Sequence, residues 1–236
     1  MITWHTYDEN TYKSTRYNLL YWVEETGQPH TTPYIDTANY PTMGIGFNLT
    51  VRANMNAILT VMGFDLSATG TEGQYITDLR KAVEARNIPQ LHTIMNNWAG
   101  DTTVATHNGK DKRPNFSLSY DEINNVFNAI APDYEDGVDA WIATYGLTVE
   151  RYSRERAVFF SLAYNSRDAN SDGIPDLLGS GLGNAVKNGN RAEAWFQIRY
   201  SSNGDDLPGI AKRRYYESDL FGLYNNSGSV EIGLED

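Results

Sequence analysis

Pro41-Thr42-Met43-Gly44-Ile45-Gly46-Phe47-Asn48-Leu49 is the stretch that separates this chain from an all-helical one. Met43, Ile45 and Phe47 alternate with Gly44, Gly46 and Asn48, the two-residue period of a strand with one buried face. Pro33, Pro41 and Gly27 punctuate the same region, so residues 31–49 are predicted to form a small hairpin or sheet. Outward from it the period becomes helical. Residues 17–25 are apolar around most of a helix circumference (Leu19, Leu20, Tyr21, Trp22, Val23) and end in two carboxylates, Glu24 and Glu25. Helical spacing returns with Met55, Ile58, Leu59 and Met62, and again with Tyr75, Ile76, Leu79 and Val83. Ser119 and Glu122 have the spacing of a capping box ahead of Ile123, Val126, Phe127 and Ile130. Residues 154–164 are predicted as a helix buried nearly all round, residues 190–200 and 209–222 as two further helices, and the polar run 99–118 as a surface loop. The predicted class is α+β, mainly α.

The chain has 236 residues, 30 acidic and 19 basic, for a net charge of −11, and no cysteine. Disulfides, zinc-thiolate sites and thiol nucleophiles are therefore excluded. No stretch approaches the ~20 apolar residues of a membrane span. A pI near 4.8 speaks against nucleic acid as partner, because phosphates must be neutralised by cations. The first residues, Met-Ile-Thr-Trp-His-Thr-Tyr-Asp-Glu, are polar and acidic and do not read as a secretory signal. The charge is uneven. Three basic residues face five acidic ones over 1–60, six face thirteen over 61–150, ten face seven over 151–214, and none face five over 215–236. A polyanion would be met in the net-basic segment; the plainer reading is that its cations pair with the acidic middle of the chain, residues 61–150.

The sequence holds no Gly-x-Ser-x-Gly elbow, no His-Glu-x-x-His and no Walker A motif, and His5, His30, His92 and His107 are scattered. Serine-hydrolase, zinc-protease and P-loop chemistry lose their support. Gly179, Gly181 and Gly183 lack the full spacing of a dinucleotide fingerprint and read as a flexible loop. What remains is a carboxylate at the end of a buried helix, Glu25, and a second on a polar hairpin, Asp36. Desolvation weakens the first kind of acid and not the second. Such a pair suits acid/base cleavage of a glycosidic bond, although spacing alone does not distinguish it from an ordinary helix-end Glu and turn Asp.

The order Glu25, then Tyr34-Ile35-Asp36, then Thr42-Met43-Gly44-Ile45-Gly46 resembles the active-site segment of the phage-type (T4-like) lysozymes of glycoside hydrolase family 24, including the family's Asp-x5-Thr spacing from Asp36 to Thr42. Phe159-Phe160-Ser161-Leu162-Ala163-Tyr164-Asn165 is similar to that family's central helix. Gly209-Ile210-Ala211-Lys212-Arg213-Arg214-Tyr215-Tyr216-Glu217 is similar to its C-terminal Gly-(Leu/Ile)-x-x-Arg-Arg-x-x-Glu helix. The resemblance covers 20–49 and 155–222; residues 60–150 match no motif of the family. It implies a two-lobed catalytic domain over 1–224, with a small sheet in an N-terminal lobe (14–60) and a helical lobe (61–224), followed by a flexible tail (225–236). It further implies that Glu25 is the general acid and that Asp36, with Thr42, stabilises the oxocarbenium charge and positions water. Arg213 or Arg214 would approach the acid. Members commonly carry one Glu followed by Gly and a shorter gap to the Asp, where this chain has Glu24-Glu25-Thr26; Glu25 is assigned because it lies nearer the hairpin, and Glu24 is the alternative.

A second motif is independent of that family. Asp168-Ala169-Asn170-Ser171-Asp172-Gly173-Ile174-Pro175-Asp176 resembles the calcium loops of EF-hand-like and thrombospondin type 3 repeats. Asp168, Asn170, Asp172 and Asp176 supply side-chain oxygens, Ile174 a carbonyl, and Gly173 the sharp turn. Position 12 is Gly179, so a full EF-hand's bidentate Glu is missing. The implied calcium is structural, and the chemistry requires no cofactor. Taken together, the resemblances imply a monomeric muramidase acting on peptidoglycan in the periplasm or cell wall. It would be made in the cytoplasm and delivered through a holin as an endolysin, or by a secretion system as a toxin effector with a cognate immunity protein as partner. The alternative is a non-catalytic, calcium-dependent cell-wall binding module.

Overall fold

The computed structural model describes residues 2–25, 28–104, 112–166, 173–202 and 208–225, leaving aside the side chains of 23–25 and 208–209. The class is α+β and mainly α: nine α-helices and one three-stranded antiparallel sheet among the described residues. Contacts divide the chain into two compact units, one of residues 28–130 and one of residues 1–27 with 131–236. The division differs from lobes at 14–60 and 61–224. Helices of the 61–130 region bury their apolar faces in the same unit as the sheet, while the first helix belongs with the C-terminal half.

In the unit of residues 28–130, strands β1 (His30–Ile35), β2 (Pro41–Gly44) and β3 (Phe47–Asn48) form a meander in that order. Thr42 lies opposite Tyr34 on one side and Asn48 on the other, and Met43 opposite Phe47. Met43, Ile45, Phe47 and Leu49 are fully buried, as the alternation requires. Helix α2 (Arg52–Val61) adds Met55, Ile58 and Leu59, and α3 (Gly70–Glu84) adds Ile76, Leu79 and Val83. Helix α4 (Ile88–Gly100) is not among the helices predicted above, yet its signals are local. The Asn87 side chain accepts from the Gln90 N–H, Pro89 sits in the first turn, and Leu91, Ile94, Met95 and Trp98 follow at helical spacing. Trp98 stacks on Phe64 at 4.3 Å between centroids.

Helix α5 (Tyr120–Tyr145) starts at the expected capping box: the Ser119 N–H donates to Glu122 Oε2 at 2.9 Å, and the Glu122 N–H donates to Ser119 Oγ at 3.3 Å. Arg113 donates to both Glu122 oxygens, at 2.9 and 2.6 Å. The division between the units falls at Ala131, beside Pro132 inside this helix.

The other unit is built around α6 (Arg154–Tyr164), all eleven residues of which are buried. Phe159 meets Trp141, Trp4 and Phe221. Helix α1 (Glu9–Glu25) supplies Leu19 to this core, α7 (Ser180–Lys187) Leu182 and Ala185, α8 (Arg191–Phe196) Ala194, the π-helical turn Gln197–Ser201 Ile198, and α9 (Pro208–Phe221) Leu220 and Phe221. The glycine-rich run 179–183, expected as a flexible loop, opens helix α7 instead. The glycine at 183 serves packing: a Cβ there would stand 2.7 Å from the Tyr145 ring, so the missing side chain admits a neighbour. Among the described residues no helix is long and apolar enough to cross a membrane.

Arg113 and the capping N–H of Ser119 draw the Glu122 carboxyl from 4.5 down to about 2, against the opposing effect of burial. A carboxyl depressed in the folded state contributes stability that is complete above 4.5 and fades as pH falls toward 2. Glu122→Ala should therefore cost about 1 kcal/mol near neutral pH. In urea unfolding across a pH series, its deficit relative to the parent should shrink through that window.

Candidate active site

The turn between β1 and β2 is where sequence and structure converge most closely. Asp36 follows the last residue of β1 and closes the turn around its own carboxylate. The Asp36 N–H donates to the Tyr40 carbonyl at 2.9 Å, and the Tyr40 N–H donates to Asp36 Oδ1 at 2.8 Å. The second oxygen, Oδ2, accepts the Thr42 hydroxyl at 3.0 Å. Asn39 takes the left-handed conformation at φ 65 that the tight return needs. Thr42 is 3% exposed while Asp36 is half-buried, so the hydroxyl is fixed within the sheet and the carboxylate keeps access to water. A carboxylate with one oxygen on a backbone N–H and the other on a hydroxyl has a single orientation.

Behind this pair the sheet is packed without slack. Gly44 has φ +65, and a Cβ there would lie 2.4 Å from the Phe47 ring. Phe47, one of three aromatics that could stack on a ligand or fill the core, is core; Tyr34 and Tyr40 are half-buried. The Leu118 N–H donates to the Thr31 carbonyl at 2.8 Å, tying β1 to the segment that leads into the Ser119 cap.

Glu25 is the last residue of α1; its side chain, like that of Glu24, lies outside the described residues. Arg213 and Arg214 lie on α9 and are buried, at 3% and 1% exposure. Among the described side chains both hold Glu217. Arg213 Nε donates to Oε1 at 3.1 Å, and Arg214 donates a short bond to Oε2. Ser161 of α6 donates to Glu217 Oε1 at 2.6 Å. Burial pushes the Arg213 guanidinium down to about 10, opposed by Glu217 and assisted by the like charge of Arg214. It stays protonated at neutral pH. Glu217 and Ser161 are not among the candidate site residues named above. The signal was present, because Glu217 stands three and four residues beyond the two arginines, the spacing that brings helical side chains together.

Of the candidate calcium ligands, Asp168, Asn170 and Asp172 lie outside the described residues; Ile174 and Asp176 lie within them. Gly173 has φ +81, the left-handed turn that the sixth position of such a loop demands. The ends of the segment are joined, since the Leu177 N–H donates to Ser166 Oγ at 2.9 Å. Pro175 packs against Gly137 of α5 so closely that a Cβ there would stand 2.9 Å from its ring. Among the described residues no group of three or more His, Asp or Glu could hold a metal ion. Comparison with protein-family models, curated proteins and solved structures found no match to this chain.

Gly44→Ala combines a strained φ with a clash on a buried ring. It should destabilise the sheet by more than about 1 kcal/mol. A lowered melting temperature would register the loss; an unchanged one would mean that the Phe47 ring gives way freely.

Proposed function

We propose that this chain is a muramidase resembling the phage-type lysozymes, cleaving the β-1,4 bond between N-acetylmuramic acid and N-acetylglucosamine with inversion. The observation that carries the reading is the Asp36–Thr42 pair, a carboxylate and a hydroxyl locked 3.0 Å apart on a hairpin. Thr42 spends its proton on Asp36, which leaves hydroxyl lone pairs to accept from a water, while Asp36 can accept the other proton of that water. The water is then held with a lone pair free to attack the anomeric carbon. In the proposed step the new C1–O bond forms from this water as the glycosidic C1–O bond breaks. The leaving oxygen takes a proton from Glu25, the water gives its proton to Asp36, and the Asp36 charge offsets the oxocarbenium character between these events. The buried Arg213–Glu217–Arg214 cluster supports the resemblance of the C-terminal helix and would fix the floor on which that helix rests.

The loop 168–176 is proposed to hold a structural calcium through the oxygens of Asp168, Asn170, Asp172 and Asp176 and the carbonyl of Ile174, with Gly173 supplying the turn. Delivery to the wall, through a holin or by a secretion system, and a cognate immunity protein in the second case, belong to the same proposal.

Glu25→Gln should lower turbidity clearing of purified peptidoglycan by about a hundredfold or more, as should Asp36→Asn, whereas Glu24→Gln should stay within a few-fold of the parent. Full activity in both glutamine variants would overturn the mechanism. Binding of the polymer without release of reducing ends by the parent would favour the non-catalytic wall-binding module.

Calcium should raise the melting temperature of chelator-treated protein, by an amount that grows with its concentration. An identical transition with and without the ion would remove it from the proposal.

A further inference from the structure

Helices α8 and α9, with the π-helical turn between them, carry an aromatic surface that the proposed chemistry does not use. Phe196 is 47% exposed, Tyr200 57% and Tyr215 50%. Exposed apolar side chains are ordinary when scattered and informative when contiguous, and these are contiguous. Phe196 meets Tyr200 at 5.1 Å between centroids, Tyr200 meets Trp195 at 6.1 Å, and Tyr215 meets Tyr216 at 5.6 Å. Arg199 joins the two groups, its guanidinium 5.6 Å from the Trp195 centroid and 4.2 Å from that of Tyr215. It is held there by the Ser218 hydroxyl at 3.1 Å. Lys212 stands 5.9 Å from the Tyr216 ring. Arg199 and Tyr200 lie on the π-helical turn, a rare geometry that clusters at functional sites.

The charges on this face differ from the buried arginines of the same unit. Arg154, Arg156, Arg191, Arg213 and Arg214 are buried in ion pairs. Among the described residues, Arg199 and Lys212 have no carboxylate partner and lie against rings instead. A chain of net charge −11 repels an anionic polymer overall, so contact with one requires a local face where cations and rings replace carboxylates.

We propose that Phe196, Arg199, Tyr200, Lys212, Tyr215 and Tyr216 form a second binding surface for peptidoglycan, apart from the residues assigned to catalysis. Rings stack on the apolar C–H faces of the pyranoses, and the two cations meet the carboxylates of the stem peptides. A polymer that repeats sugar and carboxylate matches a surface that repeats ring and cation. The choice of polymer rests on the muramidase reading.

The test separates binding from cleavage. The parent, the exposed triple variant Phe196→Ser/Tyr200→Ser/Tyr215→Ser and the single variant Lys212→Glu are compared in sedimentation with insoluble sacculi, in hydrolysis of short soluble glycan fragments and in melting temperature. The triple variant should bind sacculi about tenfold more weakly or worse. Lys212→Glu should lose affinity at low salt and little at high salt. Both should keep the parent's melting temperature and its rate on short fragments. Sacculus binding equal to the parent's in both variants would overturn the surface. So would a gel-filtration shift showing that the triple variant has lost only self-association, which would make the face an interface between copies. If no protein cleaves any fragment while the variants still lose sacculus binding, the surface stands and the muramidase reading falls.

Discussion

Glu155 is fully buried, and the unit of residues 1–27 and 131–236 is organised by what must be done to keep it so. Its Oε1 accepts from Arg191 at 2.6 Å and Arg154 at 3.3 Å and lies 2.7 Å from His5 Nδ1, while Oε2 accepts the His5 N–H at 3.0 Å. Burial alone would push this carboxyl upward; Arg191 and His5 outweigh it, and the group is held below its ordinary value. Removing one partner from such a cluster costs about 3–5 kcal/mol, because a buried charge is left uncompensated. The cluster also performs the joining. Arg191 donates to the carbonyls of Thr3, Phe221 and Gly222, so the N-terminal segment, α6, α8 and the end of α9 meet on one carboxylate. The four elements are distant in sequence, and their common point is a polar one inside an aromatic core.

The same device recurs twice in that unit. Glu135 accepts from Tyr12, Arg16 and Arg156, tying α1 to α5 and α6, and Glu217 accepts from Ser161, Arg213 and Arg214, tying α6 to α9. Five of the ten cations of residues 151–214 are therefore internal. Arg156 reaches Glu135 and Asp139 of the acidic middle, as the charge count suggested, whereas Arg154, Arg191, Arg213 and Arg214 find carboxylates within or just beyond their own segment. Among the described residues this leaves Arg151, Lys187, Arg199 and Lys212 outside the ion pairs, and of these Arg199 and Lys212 lie among the exposed rings of the π-helical turn and α9. A count of charges sees ten cations; burial separates those that build the unit from those left at its surface.

In the unit of residues 28–130 the constraint is steric. Gly44 exists to let the Phe47 ring pass, and the resulting tight meander sets Thr42 where its hydroxyl meets Asp36. A hairpin built on a looser turn would leave the carboxylate free to rotate, and a water held by both groups would lose its orientation. Catalytic positioning of the kind proposed is thus a property of sheet packing as much as of the two residues named.

The chain by itself determined the class and several local structures. Period-two alternation at 43–47 specified a buried strand face, and the Ser119–Glu122 spacing specified a helix start, because both depend on residues close in sequence. The Asp36–Thr42 pair was singled out by the resemblance and not by spacing, and its hydrogen bond joins residues six apart across a tight turn. Helix α4 could have been read from Asn87 and Pro89. Tertiary structure decided the rest. Gly181 and Gly183 lie within helix α7, where the side chain missing at 183 leaves room for the Tyr145 ring. Glu155 looks like a surface charge until His5 and Arg191, 150 and 36 positions away, meet it, and Glu217, whose arginines stand one helical turn before it, is closed off only by Ser161, 56 positions away. The division of the chain at 27 and 130 follows from which helix faces bury one another, which no local pattern contains. Free energies of burial and ion pairing depend on partners brought together by the whole fold, and those of turns and caps on neighbours the sequence already places side by side.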